Sequence, residues 1–155
     1  MDGDNPSEIR ARIRQEHEAL RGLLGQVDEA ARAVLEEGVD RRAATTLRQL
    51  CSALHVALSA HLDLEDAVLA PALRETDAFG PDRADELLHH HAEQRQILAA
   101  ALEEAKSPRM DPAQLARHAR GLVRYLMEDM ATEDRDLLNP NLLRDDPILV
   151  DEFTG

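Results

Sequence analysis

The stretch LHVALSAHLDLEDAVLAP, residues 54–71, decides how this chain is read. Leu54, Leu58 and Val68 recur at helical spacing, and Leu47 and Leu50 extend the same apolar stripe upstream. Pro71 stands near the end of the stripe. Where further leucines would be expected come His61, seven residues after Leu54, and Glu65, three before Val68. Their i, i+4 spacing puts them on one face of the helix, within reach of a common ion. Both are placed at core positions, where charge without a partner is costly.

The same interruption recurs in three further predicted helices. After Pro6-Ser7, which reads as an N-cap signal, Ile9, Ile13, Leu20, Leu24, Val27 and Val34 form a stripe broken by His17. Gly38-Val39-Asp40 ends that helix, and Asp40 is placed to cap the second. Asp77-Ala78-Phe79-Gly80-Pro81 is a breaker cluster. A third helix follows with Leu87, Leu98, Leu102 and Ala105, and carries His91. Ser107-Pro108 stops it, and Asp111-Pro112 supplies an N-cap and an N1 proline for the fourth. There Leu115, Leu122, Leu126 and Leu137 are interrupted by Asp129 and Glu133 before Asn139-Pro140.

These elements predict an all-α fold, an up-down-up-down antiparallel four-helix bundle, because short links make consecutive helices neighbours. Residues 1–7 are expected to be a disordered N-terminal segment, 8–140 the bundle and 141–155 a C-terminal tail. Ile148, Leu149, Val150 and Phe153 suggest that the tail packs back on the body. In antiparallel neighbours, residues equidistant from a turn share a height. The midpoint of His17 and His61 is residue 39, of Glu65 and His91 residue 78, and of His91 and Asp129 residue 110. Each falls in a predicted turn, so three imidazoles and three carboxylates gather in one layer. The simplest supplier of the cations they need is a pair of metal ions.

Composition narrows the setting. At 155 residues the chain fits one domain with a sizeable core. Leu and Ala carry most of the apolar load, which favours helix over strand, and Phe79, Tyr125 and Phe153 are the only aromatics. A formal charge of −13 repels phosphate backbones, so nucleic-acid binding is not expected. No run approaches the length of a membrane span, and Met1 to Arg10 lacks a signal-peptide pattern; the expectation is a cytoplasmic protein with no membrane partner. Cys51 is the single cysteine, so neither an internal disulfide nor a thiolate cluster can form. Leu47, Leu50 and Leu54 around it predict an inert, packed thiol.

An internal repeat joins the halves. His17-x3-Arg21-x2-Leu24 matches His91-x3-Arg95-x2-Leu98, and His61-x3-Glu65-Asp66-x2-Leu69 matches Asp129-x3-Glu133-Asp134-x2-Leu137. Over about residues 8–140 this pattern resembles the hemerythrin-like family, the HHE cation-binding domains, whose motif is a histidine followed by His-x3-Glu, repeated once. The resemblance implies two non-haem iron ions in a four-helix bundle. It implies His17, His61, Glu65, His91 and Glu133 as ligands, with the glutamates as bridges. Asp129 stands where the family usually has histidine. Leu87 and Arg95 stand one turn either side of His91, where oxygen carriers of the family have a second histidine. The site is thus richer in carboxylate than a carrier's, which argues against reversible oxygen transport.

Imidazole and carboxylate donors suit iron, with manganese or zinc next, and no soft ligand is present for copper(I). Six ligands shared by two octahedral ions leave positions open for a small diatomic molecule or peroxide. Tyr125, one turn before Asp129, is either a partner of the site or a core tyrosine with a satisfied hydroxyl. His90 competes with His91 for the ligand role, since neighbouring helical side chains diverge by roughly 100°. Arg21 and Arg95 either pair with site carboxylates or extend to solvent. Three uses stay open: a protein binding or sensing dioxygen, peroxide or nitric oxide, a di-iron oxidase, ferroxidase or peroxide-consuming enzyme, and an interaction module with a degraded or single-metal site.

Overall fold

The computed structural model describes residues 4–37 and 40–146 and contains helices and no strand among them. Helix α1 spans Pro6–Glu37 and α2 spans Arg41–Leu64; a π-helical turn, Glu65–Leu69, joins α2 to the short α3, Ala70–Arg74. Helix α4 runs Gly80–Lys106 and α5 runs Pro112–Asp136. The long helices form a bundle in which α1 packs on α2 and α5, and α4 packs on α2 and α3; α4 and α5 touch more sparsely.

Local chemistry sets the ends. Asn5, rather than Ser7, caps α1: its Oδ1 accepts the Glu8 N–H at 3.0 Å, and Glu8 reaches back to the Asn5 N–H at 3.2 Å. Asp40 accepts the Arg42 N–H, and Asp111 accepts the Gln114 N–H ahead of Pro112. Gly80 opens α4 because a Cβ there would collide with the Leu73 and Arg74 carbonyls.

The α1 stripe is buried throughout, from Ile9 to Val34. Elsewhere the register differs from the spacing argument. Leu69 is fully buried and Val68 only half-buried, because the π turn adds a residue just after Glu65 and rotates everything beyond it. Near the end of α5, Leu138 is buried and Leu137 half-buried, and along the helix Val123 and Met130 face the core while Leu122 lies at its edge.

The core falls into two apolar clusters. One holds Leu20, Leu58, Leu62, Leu98 and Met130; the other holds Ile13, Leu69, Leu87, Leu138 and Leu143. Between them on the four rods lie His17, His61 and Glu65, His91 and Gln94, and Glu133, all buried. A polar layer thus crosses the bundle. Residues 138–145 fold back onto the start of α1, where Arg10 Nε donates to the Leu143 carbonyl and Arg14 to that of Leu138. Ile148, Leu149, Val150 and Phe153, expected to pack on the body, lie outside the described residues.

Candidate metal centre

The polar layer contains one tight group. A ligand atom from each of His17, His61, Glu65 and Glu133 lies within 4.8 Å of the others, and all four residues are buried. The His17 and His61 rings face each other with centroids 4.9 Å apart. His61 Nε2 lies 2.5 Å from a Glu65 oxygen, and His17 Nε2 lies 3.1 Å from Glu133 Oε1. That second approach is not a hydrogen bond, which leaves His17 Nε2 and Glu133 Oε1 buried without a partner, and Glu65 Oε2 is a third such atom. Buried polar atoms are almost always satisfied, and each exception needs a physical cause. A cation among these atoms would satisfy all three.

The rings are held from behind. His17 Nδ1–H donates to Asp134 at 2.7 Å, His61 Nδ1–H to Glu16 at 3.0 Å and His91 Nδ1–H to Asp66 at 2.5 Å. A carboxylate on Nδ1 fixes the tautomer that leaves Nε2 as a lone-pair donor, the arrangement seen behind metal-bound histidines. Arg21 grips Asp134 at 2.5 Å and Arg95 grips Asp66 at 2.7 Å, so each arginine braces the acid that braces a histidine. Burial raises the Asp134 carboxyl, but Arg21 and His17 outweigh it and hold the acid below its ordinary range. Burial pushes His91 down despite the pull of Asp66, which favours the neutral, ligating form.

The two glutamates respond oppositely to ordinary acids. Burial, joined by the charges of Asp129, Asp66 and Glu16, raises Glu65 to about 7 against the pull of its contact with Glu133. Burial and Glu65 together raise Glu133 to about 8 against the pull of His17. Two facing acids in an apolar wall need protons or a metal cation near neutral pH. A small cavity of about 10 Å³ sits here, lined by the four residues with Asp129, Gln94 and apolar side chains such as Leu58 and Leu126. That is room for roughly one water-sized species.

The six residues singled out by spacing are divided by the structure. His17, His61, Glu65 and Glu133 meet in the tight group; His91 and Asp129 stand outside it. His91 is buried in the same layer on its Asp66 brace, whereas Asp129 is half-buried, its Oδ1 2.6 Å from His90 Nε2 and its Oδ2 accepting from Gln94 Nε2 at 2.8 Å. His90 therefore partners Asp129 from a partly exposed position. Tyr125 lies beside Gln94, and burial raises its hydroxyl above the ordinary phenol range. Asp66, Asp134 and Gln94 take part without having been singled out as site residues, and Glu16, which borders a ligand position in the sequence, joins them on the His61 ring. Gln94 was findable, since it follows His91 by three on the stripe of Leu87 and Leu98.

The comparisons with known proteins agree with this geometry. The family model described as hemerythrin HHE cation binding domain matches residues 8–139. No curated protein and no solved structure matches the chain. No described helix is long and apolar enough to cross a membrane. With the match covering most of its length, the chain belongs to the hemerythrin HHE cation-binding domain family.

Proposed function

We propose that this chain holds a pair of non-haem iron ions within an up-down-up-down bundle and binds or reacts with a small oxidant, namely dioxygen, peroxide or nitric oxide. One observation carries the reading: four buried ligand atoms converge within 4.8 Å, and three buried polar atoms of the same residues have no partner. Nitrogen and carboxylate oxygen make a donor set suited to iron, with manganese and zinc the next candidates. His17, His61, Glu65 and Glu133 would hold the first ion. His91 and Asp129 would complete the second position, with Glu65 and Glu133 shared between them. Once bound, ferrous ions supply electrons and an open position for the oxidant. Asp134, Glu16 and Asp66 aim the rings, and apolar clusters flank the layer above and below.

A cavity of about 460 Å³ between α4 and α5 reaches Asp129 and Glu133 from solvent, giving a small solute a route to the layer. Asp129 in place of a histidine favours reaction or sensing over reversible carriage. The reading places the protein in the cytoplasm, with neither nucleic acid nor membrane as partner. Its test is metal analysis of purified protein with optical spectra in air and after reduction. Iron at two per chain, with near-ultraviolet absorption that bleaches on reduction, is expected. A colourless protein that melts identically with and without chelator contradicts it. Turnover of ferrous iron or peroxide separates an enzyme from a binding protein.

A further inference from the structure

The dinuclear reading above leaves open how the two halves of the bundle share the metal, and the structure makes them unequal. In the first half, Glu16, the residue before buried His17, accepts the Nδ1–H of His61, which lies four residues before buried Glu65. In the second half the matching positions hold His90, the residue before buried His91, and Asp129, four residues before buried Glu133. They pair as well, with acid and imidazole exchanged between the helices.

The exchange changes what remains for an ion. His61 commits one ring nitrogen to Glu16 and keeps Nε2 in the tight group, 2.5 Å from Glu65. Asp129 has Oδ1 on His90 and Oδ2 on Gln94, so both oxygens are engaged. An ion at Asp129 has to share oxygens that already accept from His90 and Gln94, which lowers their donor strength and holds the carboxylate in place, and weakens binding by about tenfold. Access differs in the same direction. Asp129 and Glu133 line both the small cavity and the larger one of about 460 Å³, whereas of these two His17, His61 and Glu65 line only the small one.

We propose that the halves hold metal unequally: His17, His61, Glu65 and Glu133 bind one ion tightly, and the position beside Asp129 takes a second ion weakly and exchanges it through the cavity between α4 and α5. This rests on the dinuclear reading and fails separately from it. The probe is manganese(II), titrated into the metal-free chain while the free ion is counted by its paramagnetic resonance, with elemental analysis after desalting. One ion per chain should saturate first and survive desalting. The second should bind about tenfold or more weakly and be lost. A double variant, His90→Glu with Asp129→His, gives the second half the pattern of the first and should retain both ions.

Two ions of equal affinity in the unmodified chain overturn this inference and leave the dinuclear reading standing. No bound manganese overturns both. A single ion, with no second in either protein, overturns the inference and reduces the centre to one metal. Unequal ions that stay unequal in a folded double variant overturn the exchange as the cause. The unmodified chain alone decides the inequality if that variant does not fold.

Discussion

Asp134 on α5 holds the Nδ1–H of His17 on α1 at 2.7 Å, and the opposite ring nitrogen then lies 3.1 Å from Glu133, the residue next to Asp134. Neighbouring residues of one helix thus meet both edges of a single ring. Asp66 and His91 repeat the outer half of this relationship.

Asp134→Asn should therefore weaken metal retention by about 10- to 100-fold, the usual effect of removing the group that orients a ligand histidine. Competition against a chelator measures it. The melting temperature of the metal-free variant should move little, because Asp134 is partly exposed. Retention equal to the unmodified protein would show that the brace has no bearing on the ion.

The raised Glu65 and Glu133 make the metal-free protein sensitive to alkali. Both hold protons in the folded state that the unfolded chain has already released above pH about 4.5. Their contribution to stability is full below that pH and is lost as pH rises through about 7 to 8. The urea midpoint of metal-free protein should fall between mildly acidic and mildly alkaline buffer. Bound metal should flatten the fall, since the ion takes the place of the protons. A midpoint that rises over this window contradicts the burial of these acids.

Much of this was legible in the sequence, for identifiable reasons. His17 is the one break in an otherwise apolar stripe from Ile9 to Val34, so spacing alone put it in the core. The internal repeat displayed Asp66 with Arg95 and Asp134 with Arg21, yet an acid beside a ligand on a half-buried face reads the same whether it is solvated or braces a ring. The π turn was not legible. Its marker is the Ala70 N–H bonding to the Glu65 carbonyl, a backbone choice that apolar spacing does not encode, and Val68 was placed where Leu69 lies. Asp129 looked equivalent to His61 because both precede a glutamate by four. Its attachment to His90 and Gln94 depends on how α4 meets α5, which no single helix reports.

Arg48 on α2 donates to the carbonyls of Ala105, Ser107 and Met110, tying down the connection from α4 to α5. Arg48→Ala should cost about 2 kcal/mol by leaving these carbonyls without a charged donor. Denaturant unfolding checks this, with metal content per folded chain unchanged. An unaltered midpoint would mean that water replaces the guanidinium without loss.

Cys51 lines a small apolar cavity near Leu54 and Leu98, and burial pushes its thiol up to about 11 against the weaker pull of Arg48. In native protein it should react with a disulfide reagent far more slowly than free cysteine at neutral pH, with the rate climbing about tenfold per pH unit toward pH 11. Unfolded protein should react at the ordinary rate. Equal rates before and after unfolding would contradict a packed thiol.

The account stands on an ion held by His17, His61, Glu65 and Glu133. A crystal of iron-loaded protein, measured with anomalous scattering at the iron edge, locates that ion directly. The expected result is a peak about 2.0–2.3 Å from the Nε2 atoms of His17 and His61 and from oxygens of Glu65 and Glu133. A peak elsewhere in the molecule, with those four side chains left as they are, would contradict it.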